Sequence, residues 1–366
     1  MQISKRNGTV EAYEAGKVKR AMGAAFASVG KVLDDEEADR LIARIERAMA
    51  SAEQGEGGSV SVEDVQDLVE RALMEANHYE ELKSYILYRE DRARKRVARE
   101  RLCAQLPSVP ALPGVLASVQ KEFPGEEYEL AHLSAKFQSF AKPDAADGQL
   151  LAMLVKAAVE LTTQEAPRWE IIAARLLMVQ FDRALAERLA ARHIETFAQK
   201  VAFLTEEGLY GDYILQHYTP AELDEAAGFI DLSRNDLFTY AGLQLLLDRY
   251  VIRTHQGAPL ESPQEMFLGI ALHLAMEERA SERMGWVRRF YDMLSTLKVT
   301  MATPTLSNAR KPFHQLSSCF IDTVPDSLDG IYRSIDNFAK VSKYGGGMGL
   351  YFGKAVSYTH LRAHET

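Results

Sequence analysis

The side chains able to do chemistry cluster toward the two ends of the sequence. Toward the carboxy end, Ser317-Ser318-Cys319 sets two hydroxyls and a thiol at the start of an apolar run, and Gly345-Gly346-Gly347-Met348-Gly349 follows. Hydroxyls donate to phosphate oxygens without adding charge, and a thiol can cycle with a second thiol through a disulfide. A glycine run lets backbone approach a ligand closely, but this one matches neither the P-loop nor the dinucleotide fingerprint. By residue type alone Cys319 also reads as a small buried hydrophobe. Near the amino end, Lys5-Arg6 precedes Asn7-Gly8. Two adjacent cations beside a tight turn and a helix start can hold phosphates, or can be an ordinary charged strand end. His193, His217, His255 and His273 show no metal-ligand spacing, so no metal site is expected.

Periodicity supplies the elements that must position these groups. Ile3 to Tyr13, broken by Asn-Gly, predicts a hairpin with a type I′ turn. Helical spacing follows from about Glu14 (Val18, Ala21, Met22, Ala25, Phe26), from Asp34 (Leu41, Ile42, Ile45, Met49), from a capping box at Ser61 and from Tyr79. Pro107, Pro110, Pro113 and Pro124 mark a linker. Residues 145–297 read as successive helices, with capping boxes at Thr219 and Ser262 and a small hairpin at 250–260. A strand over Leu297–Met301, a polar loop, a strand at Ser318–Thr323, a helix from Asp326 to about Ser342 and a glycine loop then suggest the opening of a β/α barrel. The expected fold class is α+β, mostly helical.

Composition narrows the function. The 366 residues carry 43 basic and 52 acidic side chains, a net charge of −9, which argues against a nucleic-acid partner. Cys103 and Cys319 are too few and too far apart for a disulfide framework or a zinc cluster. The polar amino terminus has no signal-peptide stretch, and no run approaches a membrane span. A cytoplasmic protein without a membrane partner is expected.

The order Ile-Ser-Lys-Arg-Asn-Gly, Val-Glu, Glu-Ala-Gly-Lys17, a capped helix and Tyr85-Ile-Leu-Tyr-Arg89 resembles the ATP-cone, a nucleotide-sensing regulatory domain. MATPTLSNAR, the SSCF strand, VPDSLDGI and SKYGGGMGL, in that order, resemble the large subunit of ribonucleotide reductase, closest to the aerobic, small-subunit-dependent class. The resemblance implies an ATP-cone over residues 1–100, a proline-rich linker over 101–129, a helical reductase domain over 130–295, the start of a ten-stranded α/β barrel over 296–354 and a tail outside the family pattern over 355–366.

The same resemblance implies the site residues. Ile3, Lys5, Arg6, Glu11, Glu14 and Lys17 would surround ATP or dATP with Mg. Thr303, Ser307 and Ser318 would meet the substrate diphosphate, and Gly347 the nucleoside. Cys319 would be one of two redox thiols. Asp326, Ser327, Leu328 and Ser342 would form a dNTP specificity site. Implied partners are a small subunit that holds the radical metal cofactor, thioredoxin or glutaredoxin as reductant, and a second copy in a dimer. The radical cysteine, a third thiol and the relay tyrosines of the family are not in these residues, so the polypeptide as written is expected to be inactive alone. Alternatives are a free-standing nucleotide-sensing protein and an adenosylcobalamin-dependent reductase.

Overall fold

The computed structural model describes residues 2–5, 9–53, 60–142 and 144–355, with the backbone alone at Glu53. Arg6 and the expected Asn7-Gly8 turn lie outside the described residues, as does 356–366. The chain divides into two compact units, Met1–Arg101 and Leu102–Thr366.

In the first unit β1 (Gln2–Ser4) is central, antiparallel to β2 (Val10–Ala12) and parallel to β3 (Val60–Ser61). The register sets Ile3 opposite both Glu11 and Val60. Helices α1 (Ala15–Ser28), α2 (Asp35–Glu53), α3 (Val62–Glu75) and the first part of α4 (Tyr79–Ala104) complete the unit. Their apolar stripes meet in one core of Met22, Phe26, Leu41, Ile45, Met49, Val69, Leu73 and Tyr85. The expected capping box forms: the Ser61 hydroxyl accepts from the Asp64 amide at 3.1 Å, and the Asp64 carboxylate accepts from the Ser61 amide at 2.8 Å. These bonds hold the Asp64 carboxyl below its usual range, the Ser61 hydroxyl most of all. Asn77, at φ 63°, turns the chain between α3 and α4, with the His78 amide bonded to the Leu73 carbonyl at 2.9 Å.

The second unit is helical up to residue 308: α5 (Leu112–Glu122), α6 (Leu130–Gln138), α7 (Asp147–Glu160), α8 (Trp169–Ala190), α9 (Phe197–Glu206), α10 (Tyr213–His217), α11 (Pro220–Ala227), α12 (Tyr240–Arg249), α13 (Pro263–Ala275), α14 (Ala280–Ser295) and the short α15 (Thr303–Asn308). A parallel β-α-β unit follows: β4 (Cys319–Thr323), α16 (Leu328–Lys343) and β5 (Gly347–Tyr351). Helix α13 is apolar all round and lies in the core, which is where such a helix must go. Both expected capping boxes, Thr219 with Glu222 and Ser262 with Glu265, carry proline in the first turn. The 250–260 segment makes one antiparallel bridge, Arg253 with Pro259.

Three expectations from sequence fail here. The proline-rich stretch is not an extended linker. It holds α5, with Pro113 in the first turn where a missing N–H is harmless, and Leu112, Leu116 and Val119 fully buried. No strand forms over Leu297–Met301. Leu297 takes φ 57° and ends α14 with the Lys298 amide bonded to the Met293 carbonyl at 3.2 Å; the expected polar loop is instead α15, started by Pro304. The glycine run is a loop only to Gly346, because Gly347–Tyr351 pairs with β4.

One ion pair ties these parts together. Arg310 and Glu261 are both fully buried, and the Arg310 Nε donates to the two carboxylate oxygens at 2.9 and 3.1 Å. Glu261 also accepts from the Tyr210 hydroxyl and from the Ile252 amide, each at 2.8 Å. Arg310 further donates to the Leu306 and Tyr250 carbonyls at 2.7 Å. Gly269 of α13 makes room: a Cβ there would stand 2.8 Å from the Arg310 Cδ and 2.9 Å from the Tyr210 hydroxyl. Removing one partner strands a buried charge. Arg310→Met should therefore lower the stability of this unit by about 3–5 kcal/mol, and Arg310→Met with Glu261→Leu should recover much of the loss. Urea unfolding followed by tryptophan fluorescence reports this unit, since both tryptophans, Trp169 and Trp286, lie in it. An unchanged midpoint for the single variant would contradict the assignment.

Candidate functional site

In the first unit the β1–β2 pairing and the start of α1 gather four charged groups. Lys5 is ion-paired with Glu11, and Lys17 with Glu14 at 2.9 Å. The ammonium of Lys5 holds the Glu11 carboxyl below its usual range, with Lys17 contributing; the bond to Glu14 pushes Lys17 up. All four groups are substantially exposed. Such pairs are worth ~0–1 kcal/mol, so an incoming phosphate can exchange for either carboxylate. Ile3 is half-buried against the core of the unit. Tyr13, which the sequence reading did not single out, has a buried hydroxyl with no hydrogen-bond partner among the described residues, and burial raises its pKa. Exposed cations held only by exchangeable carboxylates fit a phosphorylated ligand.

In the second unit, helix α15, the approach to β4 and the glycine turn form one assembly. The Asn308 amide donates to the Gln315 carbonyl at 3.0 Å and the Tyr344 carbonyl at 3.1 Å. The Thr305 hydroxyl donates to the Leu316 carbonyl at 3.3 Å. Parallel pairing then sets Cys319 opposite Gly347, with the Gly347 amide bonded to the Ser318 carbonyl at 2.7 Å. The Ser318 hydroxyl lies 3.5 Å from the Cys319 sulfur and donates toward it. Thr303 is exposed in the first turn of α15, its hydroxyl 3.2 Å from that of Tyr250, and Ser307 is half-buried on the same helix.

Cys319 is exposed, not the buried hydrophobe that its residue type suggested. Side chains alternate along β4, and the first residue of the strand points away from α16. Gly347 is also open, since a Cβ there would meet the Ser318 carbonyl at an ordinary 3.6 Å. Its neighbour Gly346 is crowded: a Cβ would stand 2.7 Å from Val341 and 2.9 Å from Phe320. The adjacent Gln315 keeps a buried, unpartnered side-chain oxygen among the described residues. Tyr250, Asn308 and Gln315 escaped the sequence reading, since Asn308 stands in the polar run TPTLSN, whose burial its residue types do not show.

The four specificity residues are not brought together. Asp326, Ser327 and Leu328 are exposed at the start of α16, where the Ser327 hydroxyl caps the helix by accepting from the Gly330 amide at 3.1 Å. Ser342 is in the last turn. Fourteen residues at 1.5 Å each put Ser342 about 21 Å from Leu328 along the axis, so the expectation that it lies close by is corrected. Among the described residues no group of three His, Cys, Asp or Glu side chains could hold a metal, and no helix is long and apolar enough to cross a membrane.

Comparison with known proteins meets this geometry. The ATP cone domain family matches residues 1–94, the all-alpha domain of ribonucleotide reductase residues 236–314 and its barrel domain residues 317–361, which runs into the stretch expected to lie outside the family pattern. The chain is similar to the ribonucleoside-diphosphate reductase subunit alpha of Treponema pallidum, 55% identical over 97% of this chain and 42% of the relative. It is also similar to the subunits of that name from Chlamydia trachomatis, 32% identical over 95% of this chain and 35% of the relative, and Chlamydia muridarum, 29% identical over the same shares. The chain thus spans about two fifths of the length of the curated relatives it matches, or less. With a cone, the helical domain and the first β-α-β of the barrel in the family's order, it belongs to the ribonucleotide reductase large-subunit family.

Proposed function

We propose that this chain is the regulatory and first catalytic portion of an aerobic, small-subunit-dependent ribonucleoside-diphosphate reductase. The observation that carries the reading is the pairing of Cys319 with Gly347, beside the Ser318 hydroxyl and within the assembly that also holds Thr303. The hydroxyls of Thr303, Ser307 and Ser318 grip the diphosphate, and bare backbone at Gly347 receives the nucleoside. Cys319 and a second thiol each give up one hydrogen and join in a disulfide. The two electrons and two protons so released replace the ribose 2′-hydroxyl by hydrogen, and the hydroxyl leaves as water. Cys103 is in the last turn of α4 and half-buried, and the second thiol is assigned instead to the part of the relatives that this chain does not span. The initiating radical is supplied by a small partner subunit that carries the metal, and thioredoxin or glutaredoxin restores the dithiol.

The N-terminal unit is the activity switch. Lys5, Arg6 and Lys17 take the phosphates of ATP or dATP with Mg, while Glu11, Glu14 and Ile3 border the remainder. Calorimetry on the chain should show saturable ATP and dATP binding. Lys5→Gln and Lys17→Gln should each weaken it about 10-fold or more, the value of a charge-assisted hydrogen bond. Absence of heat at millimolar nucleotide would end this assignment.

Gly347 and Gly346 separate substrate contact from packing. Gly346→Ala should destabilise the second unit by about 1–3 kcal/mol through overpacking, whereas Gly347→Ala should leave its unfolding midpoint in place. A nucleoside diphosphate should slow iodoacetamide alkylation of exposed Cys319, read by peptide mass mapping with half-buried Cys103 as internal control, and Gly347→Ala should remove that protection. Equal alkylation of Cys319 with and without nucleotide would refute the placement.

Leu328, Tyr332 and Ile335 form an exposed apolar stripe on α16. Two copies packed with these helices antiparallel would bring one copy's Ser342 to the other's Asp326–Leu328 and so complete the dNTP site. Ile335→Glu should then shift the chain from dimer to monomer in sedimentation velocity. A monomer before the substitution would rule the arrangement out.

A further inference from the structure

Helices α7, α8 and α12 and the 250–260 turn line an open cavity of about 420 Å³ in the second unit, and none of Thr303, Ser307, Ser318, Cys319 and Gly347 lines it. The volume lies in the range of small-molecule sites. Its floor is apolar, made by Val155, Leu177, Phe181 and Leu247, of which Val155, Phe181 and Leu247 are buried.

Its rim is cationic. Lys156, Arg188 and Arg253 line it against one carboxylate, Asp248. Asp248 is shared, accepting from Gln244 at 2.7 Å and from Arg253 at 3.4 Å. Arg188 reaches the Pro259 carbonyl through a long 3.4 Å bond. Arg253 turns its terminal nitrogens to the carbonyls of Gly257 and Leu247, with Asp248 at the edge of ion-pair range, 3.4 Å away. Its Nε–H is buried and, among the described residues, has no acceptor. Lys156 lies 3.6 Å from Glu160 and over the Phe140 ring, a loose hold on an exposed ammonium. In a chain of net charge −9, a pocket with this excess of cations selects for anions.

We propose that this cavity binds a small amphipathic anion, with an aliphatic or aromatic body on Leu177 and Phe181 and one carboxylate or phosphate at Arg188, beside Lys156 and Arg253. A hydrophilic ion such as free phosphate leaves the apolar floor unused, and a neutral apolar molecule leaves the cationic rim unanswered. Both halves of the ligand are therefore required.

The test uses 8-anilinonaphthalene-1-sulfonate fluorescence on the whole chain. The probe should show a saturable site that survives Ile335→Glu, which removes the exposed α16 stripe. Arg188→Gln should weaken that site about 10-fold or more, as loss of a charge-assisted bond requires. Leu177→Trp, which fills the cavity, should abolish it with the melting temperature kept; if that variant melts early, Ala184→Leu takes its place. Octanoate and adenosine monophosphate serve as competitors, and displacement by one of them identifies the head group as carboxylate or phosphate. Probe binding indifferent to Arg188→Gln and to cavity filling, or displaced by neither competitor at millimolar concentration, would overturn the proposal.

Discussion

The second unit depends on an ion pair with no access to water. Arg310 and Glu261 come from segments 49 residues apart, and every other bond they make is to a different part of the chain: Tyr210 before α10, Ile252 and Tyr250 at the turn, Leu306 on α15. Burying two charges is costly, and the attraction between them repays that cost only when the remaining donors and lone pairs are also satisfied. Here they are, which gives the pair a geometric role: it admits one arrangement of the helical core, the turn and α15. The candidate substrate hydroxyls inherit that arrangement. Thr303 begins the helix that Arg310 grips through the Leu306 carbonyl, and Tyr250, gripped by the same guanidinium, stands beside the Thr303 hydroxyl.

The N-terminal unit uses charge in the opposite way. Its Lys5–Glu11 and Lys17–Glu14 pairs are in solvent, where a pair contributes little to stability and a competing anion displaces it at little cost. The fold of that unit rests instead on its apolar core and on local devices such as the Ser61 capping box. Separating what holds the unit together from what a nucleotide would displace lets ligands come and go without unfolding it. A buried pair like Arg310–Glu261 could not serve as such a switch, since opening it would expose two unpaired charges to an apolar interior.

What could be read from sequence follows the range of the forces involved. The Ser61, Thr219 and Ser262 caps involve side chains three residues apart, so residue order specified them. The helical stripes and the strand read at Ser318–Thr323 were legible because burial on one side leaves a period in the sequence, whereas the hairpin strands, of which β2 is exposed throughout, were read from the Asn-Gly between them. Leu297–Met301 misled because alternation of Leu, Val and Met imitates a strand, whereas the turn geometry at Leu297 answers to the end of α14. The prolines of 101–129 misled because proline punctuates helices as well as linkers. Arg310 gave no sign: its partner is 49 positions away, and an arginine in a polar run reads as surface. For the candidate site, the motif order identified Cys319, Ser318 and Gly347. That the first and last face each other, and that Ser342 and Leu328 do not, required the β4–β5 register and the length of α16.

The exposure of Cys319 follows from the sheet that carries it. A parallel pair of strands is found almost only with both faces covered, because crossover helices occupy one side and further elements the other. Here α16 covers one face of β4 and β5, while Ile321 on the other is 89% exposed. A β-branched residue so placed belongs to the inner face of a larger sheet, as the barrel match implies. Cys319 and Ile321 on β4 and Gly347 and Gly349 on β5 share the face turned away from α16, so the thiol and the bare glycine backbone open to that one side. A nucleotide held by the α15 hydroxyls would therefore meet the Cys319 sulfur and the bare backbone of Gly347 from this side.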